Sequence, residues 1–509
     1  MRKKLLLMVL GGVLVLPLSG QSVEGASGQV LRPSRHLTGN AYAREGQSLD
    51  GEWMAIVDQY DTGLDKKMYL DRKPEGKTDF VEFSYDGAKR LVVPGDWNHQ
   101  DPELQRYEGT VWYARHFQAA REEGRRRILY FAGVSLRCDV WLNGRRVVSH
   151  EGSFTPFEAD VTDLLQDGDN FLAVRVDNKR RSDAIPAMSF DWWNYGGITR
   201  EVMLLDVPED HIAGYFIRLQ DGRDDQIVAD VRLSKAQEGQ EVTLSIPELK
   251  LKGKALTDAD GCARLVMKAR RLHLWEPLNP KLYQVELTSA RDRVEERIGF
   301  RRMAVEGTKI LVNGAETFLR CVSFHEEIPM QKRRAVSEAD ARLLVDAAVD
   351  LGCNAIRLAH YPQSERIVRY AEEKGLLIWE EIPLWQGIDF SNADTYRKAE
   401  TYLWEMIERD RNRCAIGFWS ISNETRPAPD RDAFLSRLLD YGRSLDGSRL
   451  FTSAFDVAHF DVPPTASSCR TVLRGNWTWS VSTNTWDGMP PGPNPRRRFA
   501  GMCLWTSRW

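Results

Sequence analysis

Over much of its first three hundred residues the chain alternates apolar and polar side chains with a period of two. In NFLAVRVDN, Leu172, Val174 and Val176 alternate with Ala173, Arg175 and Asp177, as in a strand whose side chains point to opposite faces of a sheet. WLNGRRVV sets Asn143 and Gly144 between two apolar pairs. Both residue types accept positive φ, so the pair predicts a type I′ hairpin. Many short strands with turn residues between them predict a jelly-roll-like β-sandwich over residues 31–207. A smaller β unit follows over 208–302, where Ala229, Val231 and Leu233 alternate with Asp230 and Arg232, and Leu282, Gln284 and Glu286 with Tyr283, Val285 and Leu287. It reads as an immunoglobulin-like sandwich, and no chemistry suggests itself in it.

From Lys309 the order becomes strand, helix, strand, helix. Ser337 with Asp340 resembles a capping box, Leu344, Ala347, Ala348 and Leu351 follow at helical spacing, and Gly352 ends the helix. The strand NAIRLAHYP comes next, then a helix over 365–374 closed by Gly375, the strand LLIWEEIPLW, and a helix over 395–411. IGFWSISNETRP and LFTSAF, at 416–427 and 450–455, supply two further strands. Such alternation predicts a parallel sheet, here an incomplete (β/α)8 TIM barrel over 303–461.

The ends of these strands carry the candidate chemistry. Phe324, His325 and Glu326 end the first, Arg357, His360 and Tyr361 the second, Glu380 and Glu381 the third, and Asn423 and Glu424 the fourth. Taken singly, each group is better explained as a turn cap, a salt bridge or a satisfied buried histidine. Four successive strands bearing ionisable groups at one end are not explained by core packing, and that end of a barrel is where substrates bind. Glu424 is the candidate proton donor. In the sandwich, the cluster Phe190, Asp191, Trp192, Trp193, Asn194 and Tyr195 reads either as a packed sandwich end or as a loop that reaches a sugar. Flat aromatic faces stack on pyranose C–H faces, and an aspartate accepts hydroxyl hydrogen bonds.

Composition narrows the classes. A net charge of −3 over 509 residues gives no bias towards nucleic acid. Arg2, Lys3 and Lys4 followed by the apolar run from Leu5 to Leu18 resemble a secretory signal within residues 1–26, which implies a secreted or periplasmic protein. The run is short for a membrane span, and no second one follows. The seven cysteines are scattered and odd in number, more like single thiols than a disulfide framework or a metal site. His325 and His360 lack metal-ligand spacing and no third ligand is evident, so no metal or cofactor is expected.

These segments jointly resemble glycoside hydrolase family 2, the β-galactosidase, β-glucuronidase and β-mannosidase group. The resemblance rests on SLDGEW, VPGDWN, YEGTVWYARHF, VWLNG, HEGSFTPFEADVT and FDWWNYGGITREV, then on CVSFHEE, NAIRLAHYP, IWEEIP and FWSISNE. It implies a sugar-binding sandwich, an immunoglobulin-like domain and a catalytic barrel, in that order. It also implies hydrolysis of β-glycosides with retention, on small-molecule or oligosaccharide substrates, by a protein that a homo-oligomeric state would suit. By position, Glu424 matches the acid/base, Asn423 the residue that binds the sugar 2-hydroxyl, His325 and His360 barrel-mouth positions, and Asp191 a sandwich residue that reaches the pocket. The DWWNYGGI loop leans towards β-glucuronidase, with β-galactosidase second. A non-catalytic carbohydrate-binding protein is the alternative.

After about Asp461 the resemblance stops. The segment from Trp477 to Trp509 holds five Trp, four Pro and the run Arg496 to Arg498 without helix or strand period. Residues 462–509 read as an aberrant tail. Permitted codons for WTWSVSTNTWDGM, regrouped by one base, allow LDVVSVNEYLGWY, which resembles the family's sixth-strand motif. A shifted reading frame therefore accounts for the tail. The family's nucleophilic glutamate lies beyond that point, so about five of eight strands are expected and the chain as written is expected to be inactive.

Overall fold

The computed structural model describes residues 37–73, 76, 78, 84–426, 428–456, 480–483 and 503–505. The predicted signal and most of the tail lie outside the described residues. The first domain stacks a six-stranded antiparallel sheet on a four-stranded one. Trp53, Trp97, Phe131, Leu172, Val174 and Val176 fill the core between them. The strand Gly168–Asp177 departs from simple alternation. Ala173, expected to face outward, is fully buried in a second small core with Trp112, Trp141 and Met68. The segment around Met68 covers the outer face of the sheet there. The Asn-Gly turn forms as its residue types dictate, with φ of 51° at Asn143 and 76° at Gly144.

In the second domain a three-stranded and a four-stranded antiparallel sheet enclose Ile217, Ala229, Val231, Leu244, Leu265, Tyr283, Val285 and Leu287. The inward phase of the strand Tyr283–Thr288 is Tyr283, Val285 and Leu287. Trp275 seats this domain on the next: it is fully buried, and its indole N–H donates to the Glu372 carbonyl at 3.0 Å.

The parallel sheet of the third domain and its helices start with β1 (Cys321–Phe324), α1 (Glu338–Asp350), β2 (Ala355–Leu358), α2 (Glu365–Lys374) and β3 (Leu377–Glu381). They continue with α3 (Ala393–Asp410), β4 (Ile416–Asn423), α4 (Arg431–Leu445) and β5 (Leu450–Asp456). All five strands are parallel, pairing Phe324 with Leu358, Leu358 with Glu380, Glu381 with Ser420, and Asn423 with Ala454. The register brings the polar strand ends to one level. Local signals set the helices: Ser337 and Asp340 form a reciprocal capping box, and Gly375 ends α2 at φ 74°. Every residue of β4 is buried, as befits a parallel strand covered on both faces.

The tail corrects the five-strand expectation. β6 (Ser480–Thr483) lies parallel to β5, and β7 (Cys503–Trp505) runs antiparallel on β6. An unpaired sheet edge offers N–H and C=O groups to any extended segment, whatever its side chains. Strand pairing there therefore needs no apolar period in the sequence. Among the described residues no helix is long and apolar enough to cross a membrane, and Cys138, Cys262, Cys321, Cys353 and Cys414 are free thiols.

Candidate active site

At the carboxyl end of β3 the two carboxylates have separate duties. Glu381, fully buried, accepts hydrogen bonds from Arg357 Nη2 at 2.9 Å, from the Trp379 indole at 2.8 Å and from His360 Nδ1 at 2.7 Å. Burial opposes its ionisation, but Arg357 and then His360 more than offset this and hold it at about 2. Glu380 points the other way, to Arg409 at 2.8 Å. Burial, reinforced by Asp410, pushes its carboxyl well above the usual range despite Arg409.

Arg357 connects this cluster to β4 by donating from Nη2 to Asn423 Oδ1 at 2.6 Å. That bond orients the Asn423 amide, whose Nδ2 is buried with no hydrogen-bond partner among the described residues. A buried donor of this kind is an incomplete site awaiting an acceptor. Glu424 follows with φ 50°, a left-handed conformation that a glutamate adopts only when its surroundings impose it. Its N–H donates to the Ala454 carbonyl at 2.8 Å, and Gln386 Nε2 lies 3.5 Å from Oε2.

The sandwich supplies the opposing wall. Of the loop's aromatic cluster, Trp192 is only 8% exposed and Tyr195 is also buried; Asp191 and Trp193 are the exposed members. Trp192 packs among the rings of His325, His360, Tyr361 and Trp385, with centroids 5.4–6.2 Å away. Burial of so large a ring at a domain contact is what the hydrophobic effect favours. Phe154 stacks on Tyr361 at 3.9 Å. A buried ion cluster locks the domains: Glu326, fully buried, accepts from Arg200 of the sandwich at 2.9 Å, from Arg334, and from the Ser364 N–H at 2.6 Å.

Ligand atoms of Asp191, His325 and His360 all lie within 4.8 Å of one another, so Asp191 supplies a third group beside two histidines, which sequence spacing did not reveal. Burial and neighbouring His360 push His325 down to about 4, leaving it neutral near pH 7. Asn423 and Glu424 close the strand next to the one that carries Glu381, and Glu381 holds His360. Sequence reading assigned no role to Trp385, Gln386 or Arg334, although the run IPLWQ that ends the β3 segment in Trp-Gln was a usable signal.

Comparison with known proteins agrees with this architecture. Residues 47–208 match the model for "Glycosyl hydrolases family 2, sugar binding domain", 211–301 that for "Glycosyl hydrolases family 2", and 303–462 that for "Glycosyl hydrolases family 2, TIM barrel domain". The chain is 28% identical over 390 residues to a putative β-glucuronidase of Formosa agariphila, covering 70% of this chain and 46% of that one. It is 30% identical over 418 residues to a β-galactosidase of Thermoanaerobacter pseudethanolicus, covering 74% and 53%. The chain thus spans about half the length of these curated relatives. Its fold superposes on a β-glucuronidase of an uncultured Clostridium with a TM-score of 0.71 at 25% identity, over 83% of this chain and 74% of that one. By its three consecutive domain matches and the arrangement of its barrel strands, the chain belongs to glycoside hydrolase family 2.

Proposed function

We propose that this chain carries the acid/base half of a retaining β-glycosidase acting on β-glucuronides or β-galactosides, with Glu424 as proton donor and Asp191, His325, His360 and Asn423 around the sugar. The observation that carries the reading is the end of β4, where Arg357 orients Asn423 and leaves its Nδ2 an unspent buried donor beside Glu424. A sugar hydroxyl is the acceptor such a donor suits. In the reaction Glu424 gives its proton to the glycosidic oxygen as the bond to the anomeric carbon breaks, and a second carboxylate attacks that carbon from the opposite face. Glu424, as carboxylate, then takes a proton from water, which displaces the enzyme carboxylate with overall retention.

Neither carboxylate at the end of β3 is available as that second group. Glu381 is committed to Arg357, Trp379 and His360, and Glu380 faces Arg409 on the far side of the strand. Non-catalytic carbohydrate binding is the second reading for that reason. The basic and apolar start of the chain supports a secreted or periplasmic location.

The test is to resequence the gene from about codon 440 and through several hundred bases past the stop. One restored base should open a frame that reads NEYLGWY and then a strand bearing a new glutamate. The restored protein should hydrolyse aryl β-glucuronides or β-galactosides and lose at least a hundredfold in kcat on Glu424→Gln. Undiminished turnover by that variant would remove Glu424 from the mechanism. A confirmed frame with no such continuation, together with sugar binding, would leave the non-catalytic reading.

A further inference from the structure

We propose that Asp191, His325 and His360 form a binding site for a divalent cation of the zinc class, set at the mouth of the sugar pocket. Three elements far apart in sequence meet there: the sandwich loop, the segment after β1 and the segment after β2. Their ligand atoms lie within 4.8 Å of one another. A tetrahedral ion with bonds of about 2.0–2.1 Å holds its ligands roughly 3.4 Å apart. Asp191 is exposed and no hydrogen bond or ion pair among the described residues holds its carboxylate, so its side chain can close the remaining distance.

Two independent features point to a ligand. His360 Nδ1 lies 2.7 Å from Glu381 Oε1, and with Nδ1–H donating to that carboxylate the lone pair sits on Nε2. A carboxylate behind a histidine in this way fixes the tautomer and strengthens the imidazole as a metal ligand. On the other ring, His325 Nδ1 is buried without a hydrogen-bond partner among the described residues. The surrounding charges leave room for a cation: Arg357 is paired with Glu381 and Arg334 with Glu326, while Asp191 is uncompensated. Two imidazoles and one carboxylate suit zinc, cobalt, nickel or copper ions and not magnesium or calcium, which prefer all-oxygen shells.

The ion would occupy space assigned above to the sugar, so it would exclude β-glycosides from the pocket. That second part rests on the proposed sugar site; binding of the ion does not. The experiment uses the full chain. Titration with Co2+ should give one set of visible d–d bands of nitrogen and oxygen ligation without thiolate charge-transfer absorption. Zn2+ should displace it with 1:1 stoichiometry in calorimetry. Asp191→Asn should weaken Zn2+ binding at least tenfold without altering the unfolding profile, and His325→Ala and His360→Ala should abolish the cobalt bands. Absence of those bands, a thiolate band, or Zn2+ affinity unchanged in all three variants would overturn the site, with the glycosidase reading unaffected. Binding of a non-hydrolysable aryl thio-β-glucuronide should weaken as Zn2+ is added. Equal affinity with and without bound Zn2+ would overturn the exclusion of sugar while leaving the ion site in place.

Discussion

Glu381→Gln tests the cluster that organises the end of β3. The carboxylate gathers Arg357, Trp379 and His360 in a fully buried position, and its pKa falls from an ordinary 4.5 to about 2. At about 1.4 kcal/mol per tenfold, that displacement corresponds to roughly 3 kcal/mol of stability. A depressed carboxylate contributes in full above its unfolded value and loses the contribution as pH falls through the folded one. The stabilisation is thus complete above about pH 4.5 and disappears towards pH 2. Glutamine stands in for the protonated acid, so the variant should be about 3 kcal/mol less stable at pH 7, near the ~3–5 kcal/mol typical of leaving a buried charge without its partner. Because a chain of three domains need not unfold in a single two-state step, the comparison belongs on the barrel transition, followed by tryptophan fluorescence in urea at pH 7, 5, 4 and 3. The gap between the two proteins should hold from pH 7 to 5 and narrow below. A gap under about 1 kcal/mol at pH 7, or one that does not change with pH, would refute the assignment of Glu381 as the charge that holds Arg357.

Glu158, which accepts from the Thr38 N–H at 2.9 Å, is pushed by burial up to about 7. A raised carboxyl makes the native state lose stability as pH rises from about 4.5 to 7, so Glu158→Gln should raise the sandwich melting temperature at pH 8 and leave it unchanged at pH 4. Glu326→Ala strands Arg200 and Arg334 in a buried contact and should cost about 3–5 kcal/mol, read by calorimetry as early separation of sandwich and barrel. Gly196→Ala would place a Cβ 2.0 Å from Trp97 Cζ2. It should cost about 1–3 kcal/mol and lower sugar affinity, measured by calorimetric titration, because the same loop carries Asp191 and Trp192.

Local signals in the sequence led to the main elements. Alternation found the strand Gly168–Asp177, the Ser337–Asp340 pair found the start of α1, Gly375 found the end of α2, and the run Ile416–Ile421 found β4. Contacts between distant segments were not legible. Ala173 is buried because the segment near Met68 folds over it, and Trp192 because a barrel more than a hundred residues away covers it. The duties of Glu380 and Glu381 looked alike from adjacent letters. They diverge because neighbours on a strand face opposite sides, one meeting Arg409 of α3 and the other Arg357 of β2. β6 and β7 depend on backbone pairing at a sheet edge, which leaves little mark in side-chain pattern.

The division of the pocket between two domains also shapes how such a protein can diverge. β4 is buried along its whole length, so a change there disturbs the barrel as well as the chemistry. Asp191 and Trp193 are exposed, on a loop that hangs from a sandwich with a core of its own. On the proposed assignment, substitutions in it would alter which sugar is admitted while leaving Glu424 at the end of β4 in place. Under that proposal, substrate preference and reaction chemistry would accumulate mutations at different rates within one gene.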